Sequence, residues 1–258
     1  MKKSLPFALK KLGQHYLNDE SIIDLICSDF SNTSYPILEI GPGPGILTQN
    51  LAAQNVPLKV IEKDTRFEEN LLAYLRPEQI IWADALRIDF TEVFKEWEKF
   101  WLVSNLPYNV ASPLLVNFLQ CPNIQVMTLM FQKEVGDRIL TEDMNSLGAL
   151  TSTFFNIKEL CKVPPGAFLP PPKVDSIVLS FERIDRPEVD LAEFDRFESF
   201  LRNLFKMRRK QVAGVLKRSY GKEKVEQVLL DLNIDVKTRA ETFSLAQVIG
   251  LYRGFNGN

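Results

Sequence analysis

The amino-acid sequence predicts an α/β protein: a doubly wound, mostly parallel sheet with an antiparallel edge strand, followed by a small all-α C-terminal domain. Three observations predict it. Short apolar runs alternate with helix-patterned segments from residue 19 to residue 131, the mark of a parallel sheet with crossover helices. The first run ends in a glycine cluster that opens a helix. After Arg183 the strand-like runs stop, and the chain turns polar and helical.

Asn18 or Asp19 can cap a first helix, whose Ile22, Ile23, Leu25 and Ile26 recur near helical spacing. Pro36–Ile40 reads as a short buried strand, ended by glycines 41, 43 and 45, and Leu47 and Leu51 mark the next helix. Leu58–Ile61 reads as the second strand, Arg66–Leu75 as a helix stopped by Pro77, Ile80–Ala83 as the third strand and Phe100–Ser104 as the fourth. Pro113–Leu119 reads as a helix and Val126–Phe131 as the fifth strand. Leu150–Ile157 and Val174–Phe181 look like two late strands on either side of a proline-rich loop, a pair suited to an antiparallel edge. Helices are expected over Phe194–Leu204, Lys210–Ser219, Lys222–Leu232 and Leu245–Arg253. The domains are expected at residues 1–185 and 190–258.

The composition narrows the function. The chain has 258 residues, 45% hydrophobic and 25% charged, as in ordinary globular proteins. No apolar stretch approaches the roughly 20 residues of a membrane span, and the N-terminal charges are not followed by the apolar run of a signal peptide. Cys27, Cys121 and Cys161 are widely spaced and odd in number, which argues against a disulfide framework and for the cytoplasm. One histidine, His15, and no Cys/His cluster argue against a zinc site. The net charge is −2, but its distribution is uneven. Residues 2–11 hold four lysines and no acid, and Arg202–Arg218 holds seven basic residues and no acid. Taken alone, such stretches are most simply solvated helix faces.

Glu39-Ile40-Gly41-Pro42-Gly43-Pro44-Gly45 follows a strand and opens a helix. Its G-x-G-x-G spacing differs from the G-x-G-x-x-G of dinucleotide binders. Glycines leave room for a ligand against the backbone. Without a pyrophosphate to cradle, this wall suits the amino-acid end and ribose of S-adenosylmethionine. Glu62 follows the second strand, where a carboxylate can accept both ribose hydroxyls, and Asp84 follows the third, where one can accept an adenine amino group. Ligands of such sheets bind at these C-terminal strand ends.

The fourth strand ends in Ser104-Asn105-Leu106-Pro107-Tyr108-Asn109. An exocyclic amino nitrogen on a base is a poor nucleophile, because its lone pair is delocalised into the ring. Two acceptors aimed at its N–H bonds favour a pyramidal nitrogen. The Asn105 side-chain oxygen and the Leu106 carbonyl are the candidates, with Pro107 biasing Leu106 towards an extended backbone. Tyr108 is the candidate to stack on the base, a contact worth roughly 1–3 kcal/mol.

Lys10-Lys11-Leu12-Gly13-Gln14-His15-Tyr16-Leu17, the Glu39–Gly45 loop, Asn105–Asn109, Gln132–Val135 and Pro164–Pro165 through Pro170–Ser176 together resemble the ribosomal RNA adenine dimethyltransferase family. The resemblance runs from about Lys10 to the C-terminus. It implies a Rossmann-like class I methyltransferase sheet and N6,N6-dimethylation of two adjacent adenosines in the terminal hairpin loop of 16S rRNA. It also implies S-adenosylmethionine as cofactor, a late small-subunit particle as partner, a cytoplasmic location, and a monomer without metal. His15, Leu17, Gly41, Gly43, Glu62, Asp84 and Asn105 are the implied cofactor contacts. Phe168 matches an aromatic that faces the base opposite Tyr108, or plugs the core. With the family in view, Lys206, Arg208, Arg209 and Lys210 become candidate phosphate contacts. A loop adenosine is partly unstacked already, which lowers the cost of flipping it out. The rival readings are a 23S rRNA adenine methyltransferase of the macrolide-resistance type and a non-catalytic rRNA-binding assembly factor.

Overall fold

A computed structural model of the chain describes residues 14–207 and 210–256. The basic 2–11 segment, Arg208 and Arg209 lie outside the described residues. The strands are β1 (Tyr16–Leu17), β2 (Ile37–Ile40), β3 (Leu58–Glu62), β4 (Ile80–Trp82), β5 (Phe100–Asn105), β6 (Ile124–Gln132), β7 (Phe155–Val163), β8 (Phe168–Leu169) and β9 (Ser176–Arg183). The helices of the first part are α1 (Glu20–Ser28), α2 (Thr48–Leu51), α3 (Glu68–Leu71), α4 (Phe90–Val93), α5 (Ala111–Gln120), α6 (Lys133–Leu140) and α7 (Ser146–Phe154). The later ones are α8 (Phe194–Phe205), α9 (Val212–Tyr220), α10 (Lys222–Asp231) and α11 (Leu245–Asn256).

Seven strands form one sheet in the order β4-β3-β2-β5-β6-β9-β7. The pairs among β4, β3, β2, β5 and β6 are parallel, and β9 runs antiparallel to β6. This is the doubly wound class I arrangement with an antiparallel strand towards one edge. The central strands are buried on both faces, which is why β2 reads Ile-Leu-Glu-Ile with every residue buried. Beside the sheet, Phe90, Phe94, Trp97, Phe100 and Phe118 pack as stacked, tilted and edge-on rings with centroids 5.1–6.5 Å apart. Fully burying each such side chain contributes roughly 1.5–3 kcal/mol. Asp19 caps α1, accepting hydrogen bonds from Ser21 N and Ile22 N. A separate two-stranded ribbon joins β1 to β8, pairing Tyr16 with Leu169 and Leu17 with Phe168.

The run Leu150–Ile157 is not a strand. Residues 146–154 are helical, and the strand begins at Phe155. The β-branched threonines of this run are accommodated in the helix by returning their hydroxyls to the preceding turn. Thr151 Oγ1 donates to Leu147 O and Thr153 Oγ1 to Ala149 O, each at 2.7 Å. Asn145 caps the helix, accepting from Gly148 N at 3.0 Å. The segment expected as one helix over Arg66–Leu75 is a 3-10 turn followed by the four residues of α3.

The chain divides into two compact units. The first ends at Gly136 and resumes over Ile157–Arg183. The second takes Asp137–Asn156 and everything from Ile184. The helical unit therefore includes α7, which the expected boundary near residue 185 left in the sheet domain. Within it α7 packs on α8 and α11, with the Phe154 and Phe194 rings 5.4 Å apart.

In the first unit, Arg183 at the end of β9 donates to Ile124 O and Cys121 O at 2.6 and 2.7 Å, closing the C-terminus of α5. Burial lowers its pKa to about 10. Arg183→Met, which keeps the bulk and removes these bonds, is expected to cost about 1–3 kcal/mol in urea unfolding; an unchanged midpoint would show that the cap is dispensable.

Candidate active site

A cleft of about 200 Å³ opens in the first unit at the C-terminal ends of β2, β3, β4 and β5. Gly41, Gly43, Glu62, Asp84, Asn105, His15 and Leu17 all line it, as do Leu106, Pro107 and Tyr108. Ladder-like hydrogen bonds run past the strands and set this rim. Gly41 N donates to Ile61 O and Ala83 N to Glu62 O, both at 2.9 Å. Ser104 Oγ donates to Ile40 O at 2.6 Å, which ties the end of β5 to the root of the glycine loop.

Gly41 has φ +66 and nothing within 4 Å of where a Cβ would stand, so its backbone borders open cleft. Gly43, at φ +54, donates its N–H to Glu62 Oε2 at 3.0 Å. The other Glu62 oxygen accepts from Lys63 N and Asp64 N at 2.8 and 2.7 Å. One buried carboxylate thus holds two loops in register and retains limited capacity for a further donor. Burial raises its pKa, and the three N–H bonds pull it back. Glu39 is more deeply buried and is pushed up to about 8 by desolvation, against the Thr48 hydroxyl that donates to it at 2.6 Å. Asp84 caps the turn after β4 by accepting from Leu86 N and pairs with Lys63 at 2.8 Å; the Lys63 bond lowers its pKa.

Asn105 is the last residue of β5, opposite Met130 of β6. Its Nδ2 donates to the His15 carbonyl at 3.1 Å. A carbonyl only accepts, so the amide orientation follows, and Oδ1 is the atom left to accept from a donor in the cleft. Leu106 is buried and lines the cleft. The Tyr108 ring stacks on that of His15, with centroids 5.6 Å apart and planes at 24°. Its hydroxyl is 2.6 Å from Ser176 Oγ.

Phe168 is placed elsewhere. Its ring is 3% exposed, its residue pairs with Leu17 in the ribbon, and it belongs to the core cluster with Tyr16 and Ile22. Of the two roles open to it, it fills the core and does not face the cleft. Lys206 and Lys210 are exposed in the helical unit.

Two features of the site had no role in the sequence reading. Ser176 stood in a recognised motif with no stated partner. Gln14 Nε2 donates to Asp64 Oδ2 at 3.1 Å, tying the segment before β1 to the turn after β3. Asp64, paired with Arg66, is held at about 2.

The raised Glu39 pKa has a consequence for stability. A carboxyl whose folded pKa exceeds its unfolded value binds protons better when folded. Its contribution is fully present below about 4.5 and is lost as pH rises through about 8. Glu39→Gln removes that titration, so urea-derived stability should fall less between pH 4.5 and 8 than in the parent. An identical slope would contradict this account.

Comparisons with known proteins agree with this geometry. The family model for ribosomal RNA adenine dimethylase matches residues 8–256. A ribosomal RNA small subunit methyltransferase A from Clostridium perfringens is 38% identical over 248 residues, covering 92% of this chain and 87% of the relative. Its counterpart from Malacoplasma penetrans is 36% identical over 246 residues, covering 93% and 89%. Among solved structures, a dimethyladenosine transferase from Plasmodium falciparum superposes with a TM-score of 0.77 at 25% identity, covering 92% of this chain and 96% of that one. The 23S rRNA methyltransferase ErmE superposes with a TM-score of 0.71 at 25% identity, covering 93% and 99%. The glycine loop, the carboxylates on successive strand ends and the Asn-Leu-Pro-Tyr turn occur here within a match that spans nearly the whole sequence, and the chain belongs to the ribosomal RNA adenine dimethylase family.

Proposed function

We propose that this chain uses S-adenosylmethionine to dimethylate N6 of two adjacent adenosines in the 3′-terminal hairpin loop of 16S rRNA, within the small ribosomal subunit or its late precursor, and so contributes to ribosome biogenesis. The carrying observation is the Asn105 amide, turned by the His15 carbonyl so that Oδ1 is the acceptor available in the cleft, beside Tyr108. The relatives named for small-subunit rRNA, at 36–38% identity, favour that substrate over the 23S rRNA of the more distant ErmE. Macrolide resistance conferred on cells carrying the chain would reverse that preference.

The cleft residues fit the cofactor. Gly41 borders space without a side chain, and Glu39, Glu62 and Asp84 supply acceptors for hydroxyl, amino and ammonium groups. His15 and Leu17 close the wall formed by β1. When bound, the cofactor supplies a methyl group on a sulfonium, a strong electrophile. Asn105 Oδ1 and the Leu106 carbonyl accept the two N–H bonds of the target amino group, which localises its lone pair. Tyr108 stacks on the flipped base and holds the nitrogen in line. The nitrogen is cationic once methylated and releases its proton to solvent after transfer, so catalysis is positioning and electrostatics, with no strongly basic group required. Lys206 and Lys210, with Arg208 and Arg209, hold RNA phosphates.

The direct test is mass spectrometry of 16S rRNA after incubating unmethylated small subunits with the protein and S-adenosylmethionine. Dimethyladenosine at two adjacent loop positions is expected. Asn105→Ala should lower the rate by about 10²–10³-fold, as removal of a preorganised transition-state contact does, with the fold retained and only the stability of the lost bond to His15 O forfeited. A near-parental rate removes Asn105 from the mechanism.

Glu62 calls for the isosteric variant, because alanine would strip the acceptor from three backbone N–H groups, whereas glutamine keeps one oxygen for the pair from Lys63 and Asp64. Glu62→Gln is expected to raise the cofactor Kd at least about tenfold, ~1.4 kcal/mol, in calorimetric titration. An unchanged Kd would take Glu62 out of the binding site.

A further inference from the structure

The chain from Pro170 to Ser176 touches two cleft-lining residues, His15 and Tyr108. The Pro170 carbonyl lies 2.9 Å from His15 Nδ1, so that nitrogen carries the proton. Ser176, the first residue of β9, lies opposite Gln132 of β6 and is 0% exposed. Next to it, Lys133 N donates to Asp175 O at 2.9 Å, which extends the pairing by one more bond. A hydroxyl on this paired, solvent-free position has little freedom, and it is 2.6 Å from the Tyr108 hydroxyl. Tyr108 itself sits three residues past the end of β5, outside the ladder. Nothing in the strand register fixes its ring. The Ser176 bond at the ring's tip and the His15 ring at its face do.

We infer that Ser176 is a positioning residue for methyl transfer: it tethers the Tyr108 hydroxyl and so sets the plane against which the target base stacks. This rests on the reading of Tyr108 as the stacking residue. The hydroxyl of Tyr108 then serves as an anchor, and the ring is the part that meets the substrate. Burial raises the Tyr108 pKa while the Ser176 bond lowers it, in keeping with a neutral phenol held by one partner. A loose ring still binds RNA but spends less time aligned with the methyl donor, so the loss falls on kcat.

The experiment compares Ser176→Ala, Tyr108→Phe, the double variant and Tyr108→Ala. Each is assayed as full-length protein on unmethylated small subunits, with cofactor affinity by calorimetry. Base extraction is followed by the fluorescence of 2-aminopurine placed at a target adenosine in a hairpin RNA. Ser176→Ala and Tyr108→Phe should each lower kcat about tenfold, with KM and cofactor Kd within about twofold. Both should shift the 2-aminopurine signal of the bound complex. Because both remove the same bond, the double variant should be no slower than either single one. Tyr108→Ala should be slower still. If Ser176→Ala leaves the fold damaged, Tyr108→Phe removes the same bond from the other side, and its kcat and fluorescence decide the matter. Parental kcat in Ser176→Ala and Tyr108→Phe, with Tyr108→Ala inactive, overturns the tether while leaving the stacking role intact. Losses that multiply in the double variant also overturn it. A parental rate in Tyr108→Ala overturns the stacking role and the tether together.

Discussion

One main-chain carbonyl, that of His15, decides which atom of the Asn105 amide faces the cleft. A primary amide presents a donor end and an acceptor end of nearly equal shape, and only the acceptor end can draw on an N–H bond. By accepting from Nδ2, His15 O fixes that choice. The carbonyl is in turn held by its neighbours. Tyr16 and Leu17 pair with Leu169 and Phe168, Asn18 N donates to Ala167 O at 2.7 Å, and the His15 ring is bound to Pro170 O. Phe168, buried under this ribbon, therefore acts on the site through the backbone it anchors.

The opposite wall is built from carboxylates that burial penalises. Burial raises the pKa of both Glu39 and Glu62, and the Glu62 charge adds to the rise at Glu39, an arrangement that costs stability unless hydrogen bonds compensate. Glu62 is compensated by three backbone N–H groups and Glu39 by Thr48. That compensation also shapes the loop. The Gly43 N–H reaches Glu62 because Gly41 and Gly43 turn the chain through positive φ, a conformation other residues rarely adopt. The glycines thus permit both the open space at Gly41 and the bracing bond at Gly43. This acidic wall favours a ligand with cationic character, since an approaching positive charge lowers the raised carboxyl pKa values and draws the groups towards their ionised form.

Much of this was legible from local pattern. Gly41, Glu62, Asp84 and Asn105 fall at the ends of short apolar runs, and a parallel sheet brings such ends together whatever the intervening helices do. The reading failed where local composition pointed one way and burial another. Threonines and paired phenylalanines at residues 151–155 resemble a strand, yet a buried helix takes them because Thr151 and Thr153 bond to carbonyls one turn back. The same error placed α7 with the sheet rather than with α8 and α11. Ser176 was invisible for another reason. Its partner lies 68 residues earlier, and no periodicity encodes a contact between a strand start and a loop on a different strand. Phe168 was ambiguous between two roles because the proline-rich sequence around it carries no period at all.

The two kinds of legibility correspond to two kinds of mechanical support. Asn105 stands on the ladder, paired with Met130 and braced by Ser104 against Ile40, so its oxygen is located by the whole sheet. Tyr108 stands off the ladder and is located by two side-chain contacts. A site that transfers methyl groups twice to one nitrogen handles an unmodified and a monomethylated base in the same pocket. In the second round the amino nitrogen has one N–H left, so a single fixed acceptor must still find it, whereas the stacking surface must meet bases that differ by a methyl group. Placing the acceptor on a rigid strand end and the ring on a tether meets both demands, because a tethered ring can adjust by small rotations that a residue within the ladder cannot make.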